Sequence, residues 1–470
     1  MGADMSKPLN IVLFLCDDLR WDALSGMGHP QVKTPNIDCL MERGTTFTRC
    51  TIPGSTSGAV CMPSRAMVHT GRGLFELEGN GATLPKEHTT LGERLQGEGY
   101  KTFHTGKWHN DTAAFNRSFS NGSNIFFGGM GDQWNMPVYD YDPSGGYEGR
   151  VPFVTNWKFE KIVETLPGDR RTNGQHATDV FCDTACAFIQ EQVEELPPFF
   201  LSVALTAPHD PRNAPERFHE MYPPEEMPLP ENFLAQHPHQ TGSIPGRDEA
   251  LAPTPRTPEM AREHLSDYYA MITHLDEGFG RIITALEQSG ELENTLVVFT
   301  ADHGIAMGQH GLLGKQNLYE HSLRIPMILA GPGVPAGRRC DARILHYGLM
   351  PTLLNLLGLE VPESVTGAPF TEFFEKDGPG LEELYLAYND SMRGLISEDW
   401  KLIEYRGDGG YRATQLFHLR EDPLERFDRS FDPGQQDRIA FLRSRMMELK
   451  GWVGDSPSEW GLRFWRRWAG

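Results

Sequence analysis

The chain has 470 residues, with 64 acidic against 43 basic side chains, a formal net charge of −21 and an apolar fraction of 39%. That charge excludes nonspecific binding to nucleic acid and repels any polyanion at long range, so an anionic substrate has to be a short or terminal unit drawn into a local basic pocket. The apolar residues recur in runs along the whole chain, which excludes a disordered protein and allows a sizeable core.

The seven cysteines are odd in number and form no tight framework, which points to a mostly reduced protein. The first apolar run, Asn10–Cys16, is too short for a signal peptide and ends in two aspartates, and no run is long enough to span a membrane. A cytoplasmic location is the expectation, unless a leader has been removed.

In chain order, Asn10–Cys16 reads as a central strand covered on both faces, because it is apolar without alternation. Thr34-Pro35 starts a helix with Ile37, Leu40 and Met41 on one face and Gly44 as its stop. Residues 45–50 form a strand, and a Gly/Ser/Thr-rich loop leads to Cys61. A helix over residues 90–96 and a strand over 100–104 follow, with Gly106-Lys107-Trp108-His109 at the strand's end. Residues 110–174 show little pattern and read as loops covering a site. Residues 178–195 read as a helix and 199–205 as an apolar strand ending in Thr206-Ala207-Pro208-His209. The proline-rich stretch 210–257 reads as a surface excursion. Pro258–Gln288 is the longest helix, with Tyr268, Ile272, Leu275, Phe279, Ile282 and Leu286 as its stripe. A strand over 296–300 precedes Asp302-His303, Lys315 lies in the next loop, and a strand over 325–330 and a helix over 350–357 follow. After Gly367, short alternating segments predict a small antiparallel sheet. The basic aromatic end, Arg463 to Trp468, is expected to dock on its own domain or a partner subunit.

Four polar segments thus stand just after apolar strands: Asp17-Asp18, Lys107 with His109, His209, and Asp302-His303. In open parallel sheets ligands bind at the carboxyl ends of strands, so the fold would gather these residues on one crest. Adjacent carboxylates repel unless a cation lies between them. Asp17, Asp18, Asp302 and the neutral donor His303 suit a divalent ion, calcium or magnesium by their oxygens. Each pair alone is equally compatible with exposed loop acids. Lys107 and His109, two apart, project to one face if the chain is extended there.

Cys61-Met62-Pro63-Ser64-Arg65, followed by Thr70-Gly71-Arg72, carries the most specific signal. Pro63 suits the first turn of a helix, which puts Cys61 at its N-terminus among unpaired N–H groups. A buried cysteine before a Pro-started helix would share that local sequence. Cys-x-Pro-Ser-Arg with Thr-Gly resembles the signature of the type I sulfatases, of the alkaline-phosphatase-like superfamily, and the order of the other segments over the first 330 residues is similar too.

The resemblance implies a large mixed, mostly parallel α/β sheet sandwiched by helices, expected over residues 1–367, and the change of character after Gly367 marks a small C-terminal α+β subdomain over 368–470. It implies that Cys61 is oxidised to formylglycine by a modifying enzyme acting on the unfolded chain, and that the hydrated aldehyde attacks sulfur. The metal ligands would be Asp17, Asp18, Asp302, His303 and the hydrated residue 61, with Ca2+ as the ion and Mg2+ or Mn2+ as alternatives. Arg65 would pair with the hydrate and the carboxylates, and Lys107 would hold sulfate. His109 would act as base, and His209 or Lys315 would protonate the leaving oxygen. The expected substrate is a sulfated small molecule or glycan terminus, with Asp210, Arg212, the 110–174 region and the small C-terminal subdomain selecting it. The rival readings are a phosphonate monoester or phosphodiester hydrolase of the same superfamily, and an unmodified binding protein. An oligomer is compatible with the sequence.

Overall fold

Every residue of the strand Asn10–Cys16 is buried, and it pairs in parallel with Phe199–Ala204 on one side and Thr295–Ala301 on the other. An apolar run of this kind needs cover on both faces, and the fold supplies it. The computed structural model describes residues 7–154, 163–192, 197–239 and 246–469. Across the eight-stranded sheet the order is Arg338–Leu345, Gly44–Thr51, Arg324–Ala330, Thr295–Ala301, Asn10–Cys16, Phe199–Ala204, Lys101–Lys107 and Asn121–Phe126. Arg324–Ala330 runs antiparallel to both neighbours and the remaining pairs are parallel. The 31-residue helix Pro258–Gln288 packs on Pro35–Arg43 and Ala177–Gln190. A second helical group joins Cys61–Thr70 to Leu91–Gly97 and Leu349–Leu356.

A second sheet has the order Arg412–His418, Trp400–Arg406, Met392–Ser397, Glu383–Tyr388 and Gly54–Ser55. Its first four strands are antiparallel, in agreement with the alternating pattern after Gly367. The fifth, two residues long, comes from the loop that leads to Cys61 and pairs in parallel with Ala387 and Tyr388. Gly54 sits at φ +105, and a Cβ there would lie 2.0 Å from the Ala387 carbonyl oxygen, so only glycine lets the two backbones meet. A small apolar cluster ties Met67 of the Cys61 helix to Leu395, Leu402 and Leu416 of this sheet and to Ile439, Leu442 and Met446 of the helix Gln436–Trp452. The C-terminal helix Glu459–Ala469 docks on its own chain: Phe464 is fully buried and Trp465 Nε1 donates to Asp455 Oδ2 at 2.9 Å.

Several expectations need correction. Residues 110–174 are not only loops: they hold the helix Thr112–Ser118, the edge strand Asn121–Phe126 and a hairpin of Arg150–Val154 with Val163–Pro167. The edge strand, Asn-Gly-Ser-Asn-Ile-Phe, escapes notice because it pairs on one side only and lacks an apolar run. The outer strand Arg338–Leu345 escapes for the same reason. The helix expected over 178–195 ends at Gln190, and its last residues, 193–195, lie outside the described residues. The stretch 210–257 is not all surface, since Asp248, Glu249 and Arg256 are buried. All seven cysteines are free of disulfides. Among the described residues no helix is long and apolar enough to cross a membrane.

Candidate active site

The crest of the central strands gathers every residue given a catalytic or metal-binding role in the sequence, whereas Arg212 bonds His264 on the helix Pro258–Gln288. Asp17-Asp18, Lys107, His209 and Asp302-His303 follow or end adjacent parallel strands. The crest is stitched by main-chain bonds: Asp17 N–H donates to the Ala207 carbonyl at 3.1 Å and Asp302 N–H to the Cys16 carbonyl at 3.0 Å. Asp18 takes a left-handed backbone, φ +68, and Tyr268 O–H donates to its carbonyl at 2.7 Å, which fixes the turn that aims its carboxylate.

Cys61 is the first residue of the helix Cys61–Thr70. Ser64, one turn on, latches that helix to the strand end by donating from Oγ to the Asp302 carbonyl. Arg65 has no exposed surface. Its Nε donates to Asp302 Oδ2 at 2.8 Å, one terminal nitrogen to the Lys107 carbonyl at 2.6 Å, and the other stands 3.7 Å from Asp17 Oδ2. One guanidinium thus binds three strand ends, as its planar fork allows.

Lys107 Nζ contacts Asp17 Oδ2 and the Gly129 carbonyl and lies 3.5 Å from Cys61 Sγ. The extended geometry expected from Lys107 to His109 is absent. Trp108 is fully buried and His109 turns left-handed at φ +73, yet its ring comes beside the Cys61 sulfur. His209 Nδ1 donates to the Asp210 carbonyl at 2.7 Å, which leaves Nε2 facing Asp18 Oδ2 at 3.8 Å. Lys315 Nζ donates to Asp18 Oδ1 at 2.8 Å.

Two residues of the site were illegible beforehand. Asp248 Oδ2 stands 3.6 Å from Lys315 Nζ and accepts from Gln316 Nε2 at 2.9 Å. Glu249 accepts the N–H groups of Leu313 and Gly314, at 3.0 and 2.8 Å, and is held by Arg256. The short segment Arg247–Leu251 therefore clamps the loop that carries Lys315. Nothing in its residue types distinguishes it from a surface acid pair.

The electrostatics are those of crowded, dry charges. Burial alone would raise the Cys61 thiol, but Lys107 and His109 hold it well below the ordinary range. Burial and the neighbouring Asp17 push Asp302 up to about 6. Burial opposes a charged Lys315, and Asp18 and Asp248 outweigh it, raising its pKa well above the usual value. Burial likewise opposes a protonated His303, and Asp302 and Asp18 overcome it.

The buried side-chain atoms without a hydrogen-bond partner include three candidate ligand atoms here: Asp17 Oδ1, Asp18 Oδ2 and His303 Nε2. A buried orphan of this kind costs about 1–3 kcal/mol, more if charged, so three in one place call for a missing charge. His303 Nε2 is 3.6 Å from Asp17 Oδ1 and 3.5 Å from Asp302 Oδ1. Ligand atoms of Asp17, Cys61, Asp302 and His303 all lie within 4.8 Å of one another, and Asp18 joins Asp17 and His209 in an adjoining set. The donors present fit a divalent cation.

The chain matches the family described as Sulfatase over residues 9–359, and N-sulphoglucosamine sulphohydrolase, C-terminal, over residues 308–451. An ulvan-active sulfatase of Formosa agariphila is 28% identical over 448 aligned residues, 92% of this chain and 77% of the relative. A multifunctional alkaline phosphatase superfamily protein of Trinickia caryophylli is 29% identical, covering 94% of this chain and 95% of its own. Among solved structures, one in complex with its substrate D-glucosamine-2-N,6-O-disulfate superposes with a TM-score of 0.74 at 22% identity, over 97% of this chain and 99% of that one. The phosphonate monoester hydrolase of Agrobacterium radiobacter also gives 0.74 at 22% identity, over 95% and 96%. These structural likenesses speak for the alkaline-phosphatase-like fold.

Proposed function

Because the chain belongs to the sulfatase family and is a sulfuric ester hydrolase, we propose that residue 61 serves as formylglycine, that a divalent cation sits among Asp17, Asp18, Asp302 and His303, and that the substrate is a sulfated carbohydrate unit. The observation that carries this reading is the set of three unpartnered buried ligand atoms beside Cys61, ringed by Arg65, Lys107 and Lys315. Three carboxylates face three fixed cations there, so a divalent ion added to the site supplies the positive charge that a sulfate ester needs.

When present, the cation and the aldehyde hydrate supply a Lewis acid and an activated oxygen nucleophile. The chain's own groups do the rest. Lys107 and Lys315, anchored by carboxylates, hold the sulfate oxygens and offset the charge that builds on them. His209, its Nδ1–H fixed on the Asp210 carbonyl, directs Nε2 at the site, where in its protonated form it hands a proton to the departing alcohol. His109 takes a proton from residue 61. Arg65 keeps the strand ends and the nucleophile in register. Cys61 is only 2% exposed, so a modifying enzyme has to reach it before the chain folds.

Carboxylates form most of the donor set and favour Ca2+, with Mg2+ as an oxygen-seeking competitor, while the imidazole nitrogen of His303 keeps Mn2+ in contention. The sulfated carbohydrate is supported by relatives named for ulvan and for N-acetylglucosamine 6-O-sulfate. A relative named as a multifunctional alkaline phosphatase superfamily protein supports a second reading, hydrolysis of phosphonate monoesters or phosphodiesters. The test joins two measurements on protein from its native source. The Cys61 peptide should be lighter than its thiol form by the mass of hydrogen sulfide less one oxygen atom, and the protein should release inorganic sulfate from a panel of sulfated mono- and disaccharides. Unmodified Cys61 in active protein would refute the nucleophile. Turnover confined to sulfates of non-carbohydrate alcohols would refute the substrate class.

A further inference from the structure

A cavity of about 680 Å³ lies beside the site at the edge of the large sheet. Strand Asn121–Phe126 is the outer neighbour of Lys101–Lys107, and Phe126 pairs with Lys107. The cavity therefore stands on the same crest, one strand further out. The two spaces share a wall. Gly129 gives its carbonyl to Lys107 Nζ, and a Cβ on Gly129 would lie 2.9 Å from His109 Nε2. Its neighbours Gly128, Met130 and Gly131 line the cavity. A single thickness of glycine-rich main chain separates the cavity from Lys107 and His109.

Most of the remaining wall is apolar, with Phe126, Phe127, Tyr139 and Leu166 as its large side chains. Its polar side chains are few, and each takes part in a hydrogen bond. Asp132 accepts from the Trp134 N–H at 2.9 Å and from Asn135 Nδ2 at 3.0 Å. Tyr139 O–H donates to the Gly149 carbonyl at 3.0 Å, and Arg171 donates to the Pro152 carbonyl. A subsite for sugar hydroxyls needs a lining rich in donors and acceptors, whereas this one is mostly hydrocarbon. A subsite for a second sulfate needs a surplus of positive charge, and here Asp132 opposes Arg171. What this wall can reward is the removal of hydrocarbon from water. Met130, 62% exposed, leaves a large apolar side chain in solvent at the rim.

We propose that this cavity receives a hydrocarbon portion, aryl or alkyl, of the alcohol that bears the sulfate. The inference rests on the sulfatase reading and adds to it the chemistry of the group attached to the sulfated unit. The sulfate stays among Arg65, Lys107 and Lys315, and the apolar group crosses the Gly128–Gly131 rim. A sulfated sugar with an apolar aglycone satisfies both sites.

The test is a series of n-alkyl sulfates, ethyl to octyl, whose leaving alcohols differ little in acidity. With the native, modified enzyme, kcat/KM should rise about four-fold for each methylene that enters the cavity. Met130→Asp, a charge placed at an exposed rim position, should lower the octyl-to-ethyl ratio about ten-fold, a ratio that cancels any general loss of activity. A flat series with sulfate released from ethyl sulfate overturns the cavity assignment and leaves the sulfatase reading intact. An unchanged ratio in Met130→Asp overturns it as well. No sulfate from any ester in the series or the saccharide panel overturns both.

Discussion

Arg65 shows how much one side chain decides here. It is fully buried, and its fork ties Asp302, Lys107 and Asp17 to the helix that starts at Cys61. A lysine keeps the charge and loses the fork, so Arg65→Lys should lower kcat/KM about 100-fold or more while the far-ultraviolet circular dichroism stays native. The buried orphans at Asp17, Asp18 and His303 lead to a second expectation at this scale. A chelator should abolish activity and lower Tm, and adding back Ca2+ or Mn2+ should restore both, because a cation that binds only the folded state stabilises it by mass action. Insensitivity of both quantities to chelation would remove the cation from the site. The acids and His303 were legible as residues because they follow apolar strands. His109 was legible as a residue but not as a geometry, since nothing in Lys-Trp-His announces a left-handed turn around a buried tryptophan.

Among the elements, the apolar strands were read to within a residue, except that the strand expected over 100–104 runs from Lys101 to Lys107. A run that is buried on both faces has to be hydrophobic throughout, and that is visible without a fold. Edge strands carry no such demand, which is why Asn121–Phe126 and Arg338–Leu345 went unseen. The segment Arg247–Leu251 is the element whose role depended most on tertiary contact. Its Glu249 takes two main-chain N–H groups of the Lys315 loop, and its Asp248 faces Lys315 itself. Glu249→Ala leaves those N–H groups buried and unpaired, at a cost of about 1–3 kcal/mol. The loop should loosen, and kcat should fall about 10–100-fold with a smaller change in KM. Unchanged steady-state kinetics in a folded Glu249→Ala protein would show that the clamp does not position Lys315.

At the scale of the whole molecule, the second sheet is part of the machinery that presents Cys61. It borrows Gly54–Ser55 from the loop before the nucleophile, and its core includes Met67 of the Cys61 helix. Gly54→Val would drive a side chain into the Ala387 carbonyl, so activity and Tm should fall together even though no catalytic group is touched. The C-terminal end is locked by a buried pair. Arg393 Nε donates to Asp455 Oδ2 at 2.8 Å, with no exposed side-chain surface on either partner, and Trp465 shares the same carboxylate. Asp455→Ala leaves a buried arginine unpaired and should cost about 3–5 kcal/mol. Thermal unfolding should report that loss, and limited proteolysis should release the helix Glu459–Ala469 first.

The amino-acid order alone determined the strands of the core, the helix behind Cys61, the acids and bases that end those strands, and the family they resemble. Each is a local demand: an apolar run, a proline-started helix, a motif read by another enzyme as a linear segment. Only the tertiary structure decided that Asp248 and Glu249 reach into the site, that Gly54 joins the two sheets, and that an apolar cavity lies behind Gly129. Those features depend on residues far apart in the chain meeting at hydrogen-bond or van der Waals distance, and no local pattern of residue types encodes which distant partners will meet.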